Sequence, residues 1–337
     1  MRSYDRKVRK IYLMIISRTP FRISFAGGGT DFSDFYEVEE GSVLNAAINK
    51  YMYITVNKRF DESLRISYSK TEIVDSVAAI KHDLVRETLR FLGFEGGLEI
   101  TSMADIPAQT GLGSSSSFTV GLLNALYAYR GQHVSAERLA REACHIEIDI
   151  CREPIGKQDQ IIAAYGGLQH IRFQPDGNFF VDPVICTSET KEKLAGSLLM
   201  FYTNRTRPAA AILTKQKEGI SSKMEILSGL RNYSIQMKDI LVRGEDLPEF
   251  GSILHQSWQL KKQMASGISD DEIDSYYARA QQAGALGGKI LGAGGGGFIL
   301  LYVEPRHQAA VRKILSDLKE LAIQFEPQGS KIIYVGD

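Results

Sequence analysis

Five short stretches of this sequence gather residue types that can hold anions or move protons. One is Pro107-Ala108-Gln109-Thr110-Gly111-Leu112-Gly113-Ser114-Ser115-Ser116-Ser117, set between a strand pattern and a helix pattern. Its glycines let successive backbone N–H groups turn toward one anion, and the helix that follows adds the partial positive charge of its N-terminus. The serine hydroxyls offer further donors, or an oxygen ligand for a magnesium ion bridging phosphates. No lysine follows the glycines, so this is not the GxxxxGK[ST] phosphate loop. Taken alone, such a composition also suits a flexible connector.

Gly292-Ala293-Gly294-Gly295-Gly296-Gly297 lies between apolar stretches, where glycines this dense mark close approach to a ligand or to another backbone, or a tight turn. Gly27-Gly28-Gly29-Thr30-Asp31 ends a strand pattern and sets a carboxylate beside an open backbone. Gly156-Lys157-Gln158-Asp159-Gln160 flanks an acid with amides and a lysine, which in isolation would be a surface ion pair. Arg205 and Arg207, within Thr203-Asn204-Arg205-Thr206-Arg207, are candidates to grip a phosphate through bidentate hydrogen bonds; plain solvation at the surface is the alternative.

The elements that must position these residues show in the periodicity. Two-residue alternation predicts strands over 22–26, 51–57, 64–69 and 98–102, and helical spacing predicts helices over 77–92, 116–130 and 135–150. Short strands are expected at 168–173, 179–181 and 198–203, followed by a long helical region over 209–283 with breaks at Gly219, Gly244, Pro248 and Gly267. Strands over 289–291 and 298–303, a helix over 305–320 and a strand over 332–335 complete the reading. Interspersed strands and helices without a regular βαβ repeat point to two α+β sandwiches rather than a doubly wound sheet. The expected division is a dispensable leader at 1–15, one domain over 16–190 and a second over 191–337.

Composition narrows the function. Lys plus Arg and Asp plus Glu number 40 each over 337 residues, so no overall basic field exists to hold nucleic acid or an anionic membrane, and an anionic ligand must be held locally. Three cysteines, Cys144, Cys151 and Cys186, form no CxxC pair, which speaks for a reducing cytosol. The basic opening and its run of six apolar residues, 11–16, are too short for a secretory signal, and no later run reaches the ~20 residues of a membrane span. A cytoplasmic protein is expected, and its oligomeric state is open.

Taken together, Thr19-Pro20-Phe21-Arg22-Ile23-Ser24-Phe25-Ala26-Gly27-Gly28-Gly29-Thr30-Asp31, the serine loop, and Lys289-Ile290-Leu291-Gly292 with its following glycines resemble the three ordered motifs of the GHMP kinases. The resemblance runs from about residue 16 to the C-terminus. It implies a GHMP kinase fold, with an N-terminal domain like ribosomal protein S5 domain 2, a ferredoxin-like C-terminal domain, and the active site between them. ATP and magnesium are the implied cofactors, and a sugar or sugar phosphate the implied substrate. Within the superfamily the first motif and Gly156-Lys157-Gln158-Asp159-Gln160 look most like the D-glycero-D-manno-heptose-7-phosphate kinases.

Carried over motif by motif, Asp159 would be the general base and Arg22 its cationic neighbour, there to balance charge on the transferring phosphoryl group. Gly111, Leu112, Gly113, Ser114, Ser115, Ser116 and Ser117 would bind ATP, with Gly292, Gly294, Gly295 and Gly296 in the third loop. Gly28, Gly29, Thr30 and Asp31 would meet the sugar. Ser115 would ligate magnesium with Glu147; Asp149, two residues on, is the competing ligand, because residues two apart on a helix do not share a face. Galactokinases carry glutamate and histidine where this chain has Gly28 and Gly29, so volume is freed and a negative charge removed where a distal phosphate would sit. The alternatives are a fucokinase-like or other sugar-1-kinase, and a noncatalytic sugar or nucleotide sensor. Truncation before Met14 is expected to leave turnover and thermal stability close to those of the full chain; loss of folding in that truncation would overturn the reading of a leader.

Overall fold

A computed structural model describes residues 13–206 and 209–336. Among these no helix is long and apolar enough to cross a membrane. Two sheets organise the chain. The larger, of eight strands, holds β1 (Met14–Ala26), β2 (Gly41–Lys58), β3 (Leu64–Ser67), β4 (Thr71–Val74), β5 (Leu98–Ala104), β6 (Leu168–Phe173) and β7 (Phe179–Pro183). The smaller, of four, holds β8 (Leu198–Tyr202), β9 (Ala285–Ile290), β10 (Phe298–Val303) and β11 (Lys319–Glu320). The eighth strand of the first sheet, β12 (Lys331–Gly336), comes from the end of the chain and pairs antiparallel with β1.

β1 and β2 are the long members because the interior faces of both are almost wholly apolar, with Phe21, Ile23, Phe25, Leu44, Ile48 and Ile54 fully buried. β2 is shared between partners: its first half pairs β6 and its second half β5, which splits the sheet where Ala46 and Ala47 meet the Gly166-Gly167 turn. Helix Ser114–Tyr129 lies across β1 and β2, joined by Gln158–Tyr165 and Ala136–Cys144. Helices Met224–Arg243 and Leu247–Lys262 lie between the sheets, the first on β2 and the second on β9. Burial of Trp258, Phe250, Leu254 and Met237 on them fuses the two α+β units, since each would otherwise expose an apolar face.

The α+β class stands, and several expectations change. The leader does not extend to residue 15: Met14 and Ile15 pair with both β2 and β12, and Ile15 is fully buried. The second domain does not keep its last strand, because β12 completes the first sheet. The helix over 77–92 is broken into a single turn, Val77–Ala79, and a helix Asp83–Leu92; Glu72 accepts the N–H of Lys81 at the break (2.7 Å). The helix over 305–320 stops at Ile314, so that Lys319–Glu320 can pair with β8, and Arg312 holds Glu320 through a forked contact. Pro248 opens a helix instead of breaking one, as its fixed φ and missing N–H allow in a first turn. The helix over 135–150 is α-helical only as far as Cys144; His145–Ile150 widens into a π-helical turn, which re-aims its side chains.

Candidate active site

One cavity of about 320 Å³ opens where the end of β1, the serine loop, the start of helix Gln158–Tyr165 and the smaller sheet converge. Its centre is an ion pair. Arg22, buried on β1, donates from Nε to Asp159 Oδ1 at 2.7 Å and from one terminal nitrogen to Oδ2 at 2.6 Å. Its other terminal nitrogen donates to the Gly111 carbonyl at 2.6 Å. One planar guanidinium thus ties the acid of one motif to the loop of another, using the fork geometry that only arginine has. Asp159 keeps a partly exposed face, and a Cβ built on Gly113 would sit 3.3 Å from its Oδ2, so the carboxylate faces the serine loop at close range.

On the other side of the pair lies the first glycine loop. Asp31 is buried and accepts from the Gly29 N–H at 2.9 Å and the Gln158 side-chain amide at 3.0 Å; burial pushes its carboxyl above the usual range. Gly28 and Gly29 line the cavity. Thr30 does not: its hydroxyl donates inward to the carbonyls of Gly27 and Ser42 (2.9 and 3.0 Å) and accepts the Ser42 N–H, so it braces the loop rather than meeting a sugar.

Gly111, Gly113, Ser114, Ser115 and Ser116 line the cavity at the N-terminus of helix Ser114–Tyr129. Two neighbours expected with them turn away. Leu112 is a core residue, and the Ser117 hydroxyl donates to the Pro20 carbonyl at 2.8 Å. From the smaller sheet, Gly292 and Ala293 reach the wall, while Gly294, Gly295 and Gly296 stand off it. Gly295 donates to Ile268, and a Cβ on Gly296 would face the Arg205 backbone at 3.2 Å. These three glycines let the loop fold on its own domain. The loops interlock at Gly111, whose φ of +82° suits glycine and whose added Cβ would stand 2.2 Å from the Leu291 carbonyl.

The chain matches the GHMP kinases N terminal domain over residues 74–167 and the GHMP kinases C terminal domain over 237–321. It is 30% identical over 319 residues to a D-glycero-alpha-D-manno-heptose 7-phosphate kinase of Campylobacter jejuni, covering 89% of this chain and 93% of that one. This protein is a GHMP kinase. A second relative of the kinase is the L-fucokinase/L-fucose-1-P guanylyltransferase of Bacteroides fragilis, 26% identical over 90% of this chain and 36% of that longer protein. Among solved structures, a D-glycero-D-manno-heptose 1-phosphate kinase from Bacteroides thetaiotaomicron superposes with a TM-score of 0.79 at 26% identity, covering 96% of this chain and all of the other.

Kinases of this family use ATP as donor, and a magnesium ion would need oxygen ligands beside the serine loop. The residues fit. The π-helical turn buries Glu147 and leaves Asp149 exposed and paired with His145 at 2.8 Å. Glu147 accepts from Ser116 (2.9 Å) and Gln160 (2.7 Å) on Oε2, while Oε1 is buried with no partner among the described residues. Burial pushes its carboxyl up to about 7. Ser115, one residue from Ser116, is exposed to the cavity.

Arg205 is a correction. Asp270 holds its guanidinium at 2.7 and 3.2 Å and Glu272 at 2.8 Å, away from the cavity, so its charge is spent on its own domain. Arg207 lies outside the described residues. Sequence reasoning missed Lys261 and Gln216, and named Gln158 and Lys289 only as members of motifs; all four line the cavity. The signal available was Lys261 itself, a charge on the buried face of an amphipathic helix. The interlock yields a test on the kinase: Gly111→Ala, strained at that φ and blocked by Leu291, is expected to lower kcat at least ~10-fold while far-UV circular dichroism stays native. Unchanged kinetics would mean that the loop contact is dispensable.

Proposed function

We propose that this kinase transfers the γ-phosphoryl group of ATP to the anomeric hydroxyl of D-glycero-D-manno-heptose 7-phosphate, forming the 1,7-bisphosphate and ADP in the making of nucleotide-activated heptose for surface polysaccharide. The observation that carries the reading is the Arg22–Asp159 fork, with a nucleotide-type serine loop on one side and an open glycine loop on the other. The names of the heptose kinases above supply the sugar; the 7-phosphate comes from the Campylobacter jejuni relative alone, since the other name prints a 1-phosphate. The reading places the reaction in the cytoplasm, where ATP is made.

In this scheme the serine loop and the helix N-terminus behind it hold the triphosphate. Asp159 accepts the proton of the attacking hydroxyl and orients its oxygen in line with the γ-phosphorus. Arg22 keeps Asp159 in place and sets positive charge beside the oxygens that gain charge in the transition state. Asp31 and Gln158 accept from and donate to sugar hydroxyls. Ser115 and Glu147 would hold magnesium, which supplies charge neutralisation of the phosphates when bound. A fucokinase-like reading, with an unphosphorylated sugar as acceptor, is kept open by the second relative.

Asp159→Asn, nearly the same shape but unable to take a proton at neutral pH, is expected to lower kcat ~100-fold or more with ATP affinity within ~3-fold of wild type. Near-normal turnover would remove Asp159 from the mechanism. The acceptor is tested at Gly28, whose φ is ordinary and whose added Cβ would meet only Gln158 Nε2 at 3.5 Å and Ser24 Oγ at 4.0 Å, so a side chain enters without backbone strain. Gly28→Glu is expected to depress kcat/KM for heptose 7-phosphate ~10-fold more than for the free heptose, through like-charge repulsion. Equal fractional losses on both sugars would count against a distal phosphate near this loop.

A further inference from the structure

Two lysines line the cavity from the smaller domain's side, and neither has a carboxylate within ion-pair range among the described residues. Lys261, near the end of helix Leu247–Lys262, donates from Nζ to the Gly28 carbonyl at 3.0 Å and to Gln216 Oε1 at 2.8 Å. Among the described residues Lys289, on β9, donates only to the Phe25 carbonyl, at 3.3 Å. An ammonium has three N–H groups, so one remains on Lys261 and two on Lys289 for whatever enters the cavity. Both side chains are more than nine-tenths buried.

A buried cation without a counter-charge destabilises a fold, and this fold buries two on one cavity wall. Burial, the charge of Lys261 and that of Arg22 together push Lys289 down to about 7, and burial pulls Lys261 down to about 8 against the pull of Asp31. The other charged groups on the cavity wall do not relieve this. Arg22 and Asp159 neutralise each other, Glu153 is at the exposed rim, and Asp31 pulls on Lys261 only from beyond ion-pair distance. The group that these donors suit is an anion.

Its position follows from the order of contacts. Arg22 touches the serine loop at Gly111; three residues on, the Phe25 carbonyl meets Lys289, and three further the Gly28 carbonyl meets Lys261. The lysines therefore follow β1 and its glycine loop away from the Arg22–Gly111 contact. A sugar hydroxyl would be served by Asp31, Gln158 and Gln216 and needs no cation. Two neighbouring ammoniums match a dianion, and a phosphate offers enough oxygens for all three free N–H groups.

We propose that Lys261 and Lys289 form a second phosphate subsite, separate from the serine loop, that holds a phosphate already carried by the acceptor and so selects phosphorylated over free sugars. The proposal rests on the sugar-phosphate reading above and names the groups that enforce it. It also implies that the fold gives up stability for this selectivity, since an apolar side chain at either position would suit the burial better.

The test uses the full chain as wild type, Lys261→Met, Lys289→Met and the charge-keeping Lys261→Arg. Titration calorimetry is run with inorganic phosphate, heptose 7-phosphate, free heptose and ATP with magnesium, and melting is followed without ligand. Lys261→Met is expected to weaken heptose 7-phosphate binding at least ~30-fold, with free heptose and ATP within ~3-fold of wild type. Lys261→Arg is expected to recover part of that loss, and ligand-free Lys289→Met to melt no lower than wild type. Equal losses for phosphorylated and free heptose, or loss of ATP binding, would overturn the subsite. If wild type binds no heptose 7-phosphate, the substrate reading fails by itself. The subsite then stands if inorganic phosphate binds wild type in the presence of ATP but not Lys261→Met, and falls if the two proteins bind phosphate alike.

Discussion

The forked contact between Arg22 and Asp159 is the constraint around which the molecule is arranged. Arg22 stands on a strand between Phe21 and Ile23, both fully buried, and its own backbone N–H donates to the Leu112 carbonyl at 3.1 Å. An arginine so placed is tolerated only if its guanidinium is paired, and three of its five N–H groups are. Satisfying them fixes the start of helix Gln158–Tyr165 on one side and the serine loop on the other. Positions distant in sequence are thereby set without reliance on flexible surface contacts.

A second constraint is steric. The smaller domain docks on the larger where side chains are missing: Gly292 against Gly111, and Gly297, whose added Cβ would lie 2.3 Å from the Thr110 carbonyl. Backbone meets backbone there, so movement of one loop is felt by the other. The third glycine run therefore acts mainly as a joint that brings Gly292, Ala293 and Lys289 to the cavity wall.

Much of this was legible in the sequence because it depends on local pattern. Phe298–Val303 and Leu168–Phe173 are apolar runs bounded by breakers, and their limits match the reading. The glycine loops and the Arg22, Asp31 and Asp159 positions were legible because each motif is contiguous. What escaped depends on contacts between distant residues. Thr30 looks like a sugar ligand until Ser42 is found beside it, and Arg205 looks free until Asp270 arrives from 65 residues away. Lys261 reads as one of two adjacent lysines at a helix end, where a solvated tail complementing the helix dipole is the ordinary reading. Only the packing of that helix against β9 and the Gly28 loop turns it inward. The widening at His145–Ile150, where Glu147 is buried and Asp149 exposed, leaves no mark on residue type at all.

The return of β12 to β1 bears on how the protein is made. A ribosome releases β1 well before β12, so the outer edge of Met14–Arg18 stands without its neighbour while roughly 300 residues are added, or roughly 15 to 60 s at ordinary elongation rates. An open strand edge is a template for pairing with another chain. The nascent polypeptide thus carries a late-closing seam that the finished enzyme does not, and substitutions that harm it there would lower the yield of folded protein without altering the catalysis of molecules that complete it.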